Sequence, residues 1–213
     1  MTTGVLGAGA LGLSCALRLA QAGEAVVVLE REPVPGGLAA GFPVGEAYLE
    51  RFYHHLFRTD TTAVALIESL GLGPRLWWGT PTTAVLFQER CWPLDSPTAV
   101  LRFRPLPWLD RLRLGAGAAY LKLVRDYRRL PRTTAAAWLR QRMGQRVYDL
   151  VWEPQLRGKF GDHAEAIALP WFWARVHCRT TSLGYLRGGF HQLYTRLADE
   201  ITRLGGRGEL GRE

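Results

Sequence analysis

The chain has 213 residues, 47% of them hydrophobic and 22% charged, with a mean hydropathy of -0.06; this excludes a disordered or fibrous polypeptide and allows one substantial core, or one and a half. Its formal charge of +8 comes almost wholly from arginine, because Lys122 and Lys159 are the only lysines. Phosphate- or carboxylate-bearing partners are therefore favoured, while the absence of zinc-ligand spacing and of an aromatic RNA-reading motif sets nucleic acid and metal aside.

Cys15, Cys91 and Cys178 are widely spaced and odd in number, the pattern of buried thiols in a reducing compartment rather than of a disulfide framework. No segment reaches the roughly 18 apolar residues needed to cross a bilayer. The start, Met1 to Leu6, lacks the basic region of a secretion signal, so a cytoplasmic location is expected, with peripheral membrane contact left open.

Thr3 to Leu6 reads as a short core strand that runs into Gly7-Ala8-Gly9-Ala10-Leu11-Gly12. Leu11, Cys15 and Leu19 then recur at helical spacing until Gly23, and a second apolar run, Ala25 to Leu29, ends in Glu30. Strand, glycine turn, helix and strand are the order a dinucleotide-binding unit requires. Gly7 would make the tight turn, Gly9 would let backbone approach a pyrophosphate, and Gly12 would let the helix pack closely on the sheet. Unpaired amides and partial positive charge at the helix start would meet the phosphates, with Ala8, Ala10 and Leu11 lining the same turn. Glu30 is placed to accept from the ribose hydroxyls, and a carboxylate there disfavours a 2′-phosphate. Arg31 either touches the adenosine phosphate or lies solvated.

Glu32-Pro33-Val34-Pro35-Gly36-Gly37-Leu38 follows. Together, the glycine fingerprint, strand-end glutamate and double glycine resemble the FAD-dependent family of amine oxidases, protoporphyrinogen oxidases and phytoene desaturases. That resemblance implies FAD as cofactor. Gly36 and Gly37 offer a second bare stretch of backbone for it, and Leu38 stands where many members carry arginine. The resemblance also implies an α/β fold, in which a Rossmann-like FAD-binding βαβ domain has a partly helical α+β substrate domain inserted. The FAD-binding part is expected over residues 1–80, the substrate part over 81–183, and a return helix over 184–213.

Tyr48 to Asp60 holds two adjacent histidines and looks like the segment that runs past the flavin ring in such proteins. In an extended chain only one of His54 and His55 faces a given pocket. His55 is the candidate catalytic residue, with a structural, hydrogen-bonded role as the alternative.

Thr61 through Leu70 reads as a capped helix and Ala84 to Phe87 as a strand. From Phe103 to Arg132, Leu106, Trp108, Leu109, Leu112, Leu121 and Leu123 mix with many arginines. Such a helix packs against its own domain with a solvated basic face, or rests on anionic lipid; the first is the simpler expectation. Thr133-Thr134 should start a helix through Met143, and Pro170 another, whose Trp171, Phe172 and Trp173 are expected in the core. Lys159 is expected at the surface or in an ion pair.

Gly184 to Phe190, with its double glycine, resembles the family's return to the FAD domain, and Leu193, Leu197, Ile201 and Leu204 form one helical stripe. The polar tail after Gly205-Gly206 is expected to end where the next strand should begin. Family members carry a further C-terminal region, so a truncated or split member is expected, with a missing C-terminal half or a partner chain. The resemblance implies hydride transfer from a small, lipophilic organic substrate to flavin. A galactopyranose-mutase-like non-redox flavoenzyme and a non-catalytic nucleotide-binding fragment are the alternatives.

Overall fold

A computed structural model describes residues 1–212, which divide into two compact units, 1–79 with 182–212, and 80–181. In the first unit, β1 (Thr2–Leu6), α1 (Ala10–Gln21) and β2 (Ala25–Glu30) follow one another directly. A hairpin, β3 (Gly41–Val44) and β4 (Ala47–Glu50), comes next, then β5 (Leu56–Phe57), α2 (Thr61–Ser69) and β6 (Leu76–Gly79). Asp60 precedes α2, but its carboxylate turns back to accept from the Phe57 amide at 2.8 Å.

The second unit opens with a hairpin, β7 (Ala84–Phe87) and β8 (Arg90–Pro93). It continues through α3 (Pro97–Arg102), α4 (Trp108–Leu123), α5 (Ala135–Met143), α6 (Gln145–Val147), α7 (Glu153–Phe160) and α8 (Leu169–His177). A π turn, Tyr148–Trp152, joins α6 to α7. Strand β9 (Leu183–Leu186), α9 (His191–Arg203) and β10 (Arg207–Leu210) return to the first unit.

The nucleotide-type sheet of the first unit has the order β1-β2-β10, all parallel, with β2 central. Period-two alternation buries Val26, Val28 and Glu30 on one face of β2. Helices α1 and α9 cover that face through Leu13, Leu17, Leu197 and Ile201, forming one core. A second, antiparallel sheet has the order β5-β9-β6.

Three expectations are corrected here. The buried stripe of α1 is Leu13, Ala16, Leu17 and Ala20, not Leu11, Cys15 and Leu19. Gly12 must face the sheet, which rotates Leu11 and Cys15 to the outside. The thiols are accordingly not buried: Cys15, Cys91 and Cys178 are all exposed. The polar tail does form the next strand, since Arg207 to Leu210 pair with Val27 to Glu30 of β2. An outermost strand is held by its backbone ladder, so exposed Arg207 and Glu209 cost little.

The second unit has its own core, built from Phe103, Leu121, Leu139, Tyr148 and Phe172 among others, with Trp171 and Trp173 packed against it. Thr134 caps α5 by accepting from the Ala137 amide at 3.2 Å. Lys122 closes α8, donating to the carbonyls of His177 at 2.8 Å and Arg179 at 2.6 Å. Arg140 forms a bidentate pair with Glu165, both bonds 2.6 Å, and its guanidinium lies 4.0 Å over the Tyr148 ring. The Tyr148 hydroxyl donates to the same carboxylate at 2.9 Å, and burial above all pushes the phenol up to about 12.

Helix α4 is shorter than the arginine-rich segment suggested. It buries Leu114, Gly117 and Leu121 against its own unit but leaves Trp108, Leu109, Leu112 and Leu123 exposed. The expectation of one apolar face and one solvated basic face is therefore incomplete, because the outward face is largely apolar.

Candidate functional site

The turn between β1 and α1 is shaped by what its residues lack. Gly7 sits at φ +93°, a left-handed conformation that favours glycine. Its amide donates to the Leu29 carbonyl at 2.7 Å, tying the turn to β2. A Cβ on Gly12 would fall on the Gly7 carbonyl, so helix and turn approach as closely as they do only because residue 12 is glycine.

Gly9 precedes α1 without any side-chain cap, and α1 has no acid in its first turn. The amides of Ala10, Leu11 and Gly12 thus begin a 12-residue helix whose positive end is offered to an external anion. A Cβ on Gly9 would meet nothing within 4 Å, and its φ of -77° suits any residue. Neither packing nor backbone conformation calls for glycine there, whereas a group laid against the turn would.

The double glycine lies beside this turn. The Gly36 amide donates to the Ala8 carbonyl at 2.8 Å, and Gly9 and Gly36 form a parallel bridge. Gly36 has φ +120° and Gly37 φ +56°; a Cβ on Gly37 would come within 3.3 Å of the Gly9 Cα. Two bare backbone stretches therefore run side by side. Leu11 and Leu38 stand out from them, 79% and 71% exposed.

Glu30 closes the arrangement at the end of β2, only 8% exposed. One carboxylate oxygen accepts from the Ala8 amide at 2.6 Å and the other from the Glu32 amide at 2.9 Å. These bonds, Glu32's first, hold the carboxyl below its ordinary value against the opposing effect of burial. Each oxygen keeps a further lone pair for a hydroxyl donor. Arg31 projects outward at the surface, its Nε 3.9 Å from the Glu32 carboxylate. From β10 the tail comes alongside, with the Gly211 amide donating to the Glu32 carbonyl and the Arg212 amide to that of Glu30.

The histidine segment belongs to a different part of the same unit. His54 Nδ1 lies 2.6 Å from the Phe52 carbonyl, a local contact. His55 is half-buried between the rings of Tyr53 (5.2 Å) and Phe57 (5.0 Å). Sequence reasoning did not find what stands next to it. The Tyr53 and Tyr185 hydroxyls are 2.6 Å apart, and Trp77 lies 5.2 Å from the Tyr185 ring. Burial and the Tyr53 hydroxyl push Tyr185 up to about 12, so this phenol keeps its proton throughout the neutral range. Nothing local signals the pairing, because its members are 132 positions apart.

A third grouping was also missed. Glu50 accepts from the Phe190 amide at 2.9 Å, at the start of α9, and Tyr48 stacks on His191 at 3.9 Å. Lys159 belongs to the second unit, where its Nζ lies 6.0 Å from the centre of the Trp171 ring.

A glycine-shaped βαβ turn, an acid at the tip of the second strand and a double glycine lying against the first are now placed. The model of the flavin-containing amine oxidoreductases matches residues 12–213. The chain belongs to that family. A 15-cis-phytoene desaturase from Synechococcus elongatus is 28% identical across 71% of this chain and 35% of its own length. An oxidoreductase from Methanosarcina mazei has a similar fold, with a TM-score of 0.67 and 18% identity, over 99% of this chain and 51% of that one. A reduced UDP-galactopyranose mutase aligns with a TM-score of 0.69 and 16% identity, over 92% of this chain and 46% of the mutase. The chain thus spans about a third of its curated relative and about half of these solved structures. Family and fold agree with the expected α/β architecture. Among the described residues no helix is long and apolar enough to cross a membrane.

Proposed function

We propose that this chain is the cofactor-binding part of an FAD-dependent oxidoreductase that takes hydride from an organic substrate. The observation that carries the proposal is the pairing of two bare turns, Gly7 to Gly12 and Gly36-Gly37, next to a strand-end carboxylate. A diphosphate would lie against the first-turn amides of α1, where no side chain competes for them. Glu30 would accept from the adenosine ribose while keeping its bond to the Ala8 amide. The absence of a Cβ at Gly9, Gly36 and Gly37 leaves room for the ligand's phosphates and for close backbone contact.

When bound, the flavin supplies the hydride-accepting centre, and the protein supplies orientation and electrostatics. In that division of labour Tyr185 keeps its proton and shares a hydrogen bond with the Tyr53 hydroxyl, and the mutually tilted rings of Tyr53, His55, Tyr185 and Trp77 give an aromatic cluster. Their role toward substrate is part of the proposal, as is the likeness of substrate to those of the relatives. The desaturase relative, at the highest identity of the three compared, supports redox chemistry over the mutase reading.

The test is spectroscopic. Protein reconstituted with FAD should show flavin absorbance, and an organic donor should bleach it anaerobically. Turnover of a nucleotide sugar with no net electron transfer would favour the mutase reading. Bound flavin that no donor reduces would reduce the chain to a nucleotide-binding module.

A further inference from the structure

The first unit holds a second concavity outside the cofactor turn. The loop after α2, from Leu70 through the turn Gly73–Arg75, and the first turns of α9 enclose about 440 Å³. Neither Glu30 nor any residue of the Gly7 to Gly12 turn lines it. Arg75 lines it from the loop and Arg196 from α9. A third arginine stands beside them. The β6–β9 ladder pairs Leu76 with Leu186, and one step beyond it the Arg187 amide donates to the Arg75 carbonyl at 2.9 Å, so these two arginines stand opposite each other at the strand ends. Like charges directly opposite one another destabilise a sheet, and an anion held near both offsets that cost.

Neutral groups fix the arginines without neutralising them. Gln192 accepts from the Arg75 guanidinium and donates to the Arg187 carbonyl at 2.8 Å, while Arg196 Nη2 lies 3.5 Å from the Leu70 carbonyl. A guanidinium carries five donors, so most of those on Arg75 and Arg196 remain unused. Among the described residues none of the three arginines forms an ion pair with a carboxylate. The acids whose charge reaches Arg196 and His191 are engaged elsewhere: Glu200 accepts from Arg203 at 2.6 Å and Glu50 from the Phe190 amide at 2.9 Å. His191 is also in the lining, and its Nδ1 is buried with no hydrogen-bond partner, an unmet demand beside the cavity. A cleft lined by one sign of charge concentrates the opposite ion, and guanidinium forks match the oxygens of a phosphate. The volume falls within the roughly 300–1,000 Å³ of small-molecule sites, more than a bare ion fills.

We infer that this cavity is a second anion site, separate from the cofactor turn, which receives the phosphate group of a small phosphorylated molecule through Arg75 and Arg196. The experiment is a proton–nitrogen NMR titration of the full chain with inorganic phosphate, in ~0.15 M chloride so that screening stays constant, once without FAD and once with FAD in excess. Saturable shifts are expected at the His191, Gln192 and Thr195 amides and at the Arg75 and Arg196 side chains. They should be the same in both titrations, so a failure of the cofactor reading leaves this result untouched. Arg75→Gln and Arg196→Gln should each weaken phosphate binding by about tenfold, at unchanged circular dichroism because both side chains are exposed. Arg18→Gln, the same change of charge on α1, should leave the affinity unaltered. Shifts confined to Ala10 to Gly12 and abolished by FAD would place the anion in the cofactor turn and overturn the inference. So would no saturation by about 50 mM phosphate, or unchanged affinity in either cavity variant.

Discussion

The two units solve the packing problem with different means. In the first, shape comes from missing side chains: Gly7, Gly12, Gly36 and Gly37 set the backbone, and a cradle is left with no cation in it. In the second, shape comes from large side chains and from cations that end helices or pair with acids, such as Lys122 on the α8 carbonyls and Arg140 on Glu165. The difference teaches where an anion can be received. A positive helix end left uncapped is available, whereas the ammonium of Lys122 is already committed to carbonyls.

Substitutions separate these two modes. The largest effect is expected in the second core, where Leu121 and Leu139 are fully buried; Leu121→Ala should cost ~2–5 kcal/mol in urea unfolding and leave flavin affinity unchanged. Gly12→Ala should cost ~1–3 kcal/mol through overpacking against the Gly7 carbonyl, and unlike Leu121→Ala it should also lower flavin affinity. A loss of stability with full flavin affinity at Gly12 would break the comparison.

Glu30→Gln should cost ~1.5–3 kcal/mol at pH 7, the range for hydrogen bonds to a charged group. The folded carboxyl is held below its unfolded value, chiefly by the Glu32 amide. Its contribution is therefore present above the unfolded value near 4.5 and disappears as pH falls through the lower folded value. Wild type should accordingly lose stability on acidification in a window that Glu30→Gln lacks, as thermal melts from pH 7 to 3 would show.

Lys122→Met keeps the stem but removes the carbonyl bonds, and ~1 kcal/mol should be lost, confined to the second unit. Smallest is a gain: Gln88 and Glu89 hold φ of +48° and +58° in the β7–β8 turn. Replacement by Asn-Gly should stabilise by up to about 1 kcal/mol, measurable as a rise in Tm.

Much of the first unit could be read in advance because its signals are local. Gly7 to Gly12 followed by an apolar stripe and Glu30 leaves few alternatives for β1, α1 and β2. The orientation of α1 was misread because Leu11, Cys15 and Leu19 make a better apolar stripe than the small residues that do the packing. Residues 207–210 look like a tail because their side chains face solvent, and only the ladder to β2 makes them a strand. The β7–β8 turn carries none of the glycine or asparagine that normally announces one. At the site, the cradle's glycines were legible from spacing, but the Tyr53–Tyr185 and Glu50–Phe190 contacts join distant segments through sheet register and α9 placement. No pattern in one strand encodes its neighbour across the sheet. Arg31, expected either to touch the adenosine phosphate or to lie solvated, has its side chain at the surface beside Glu32.

The most direct test uses Gly9→Val, because a Cβ there touches nothing in the protein and the extended backbone accepts a branched residue. Titration with FAD, followed by flavin fluorescence, should show saturable binding to wild type and at least about 100-fold weaker binding to the variant, with melting temperatures nearly equal. Equal affinity for the two proteins, or no binding by a folded wild type, would contradict the assignment of this turn as the diphosphate site.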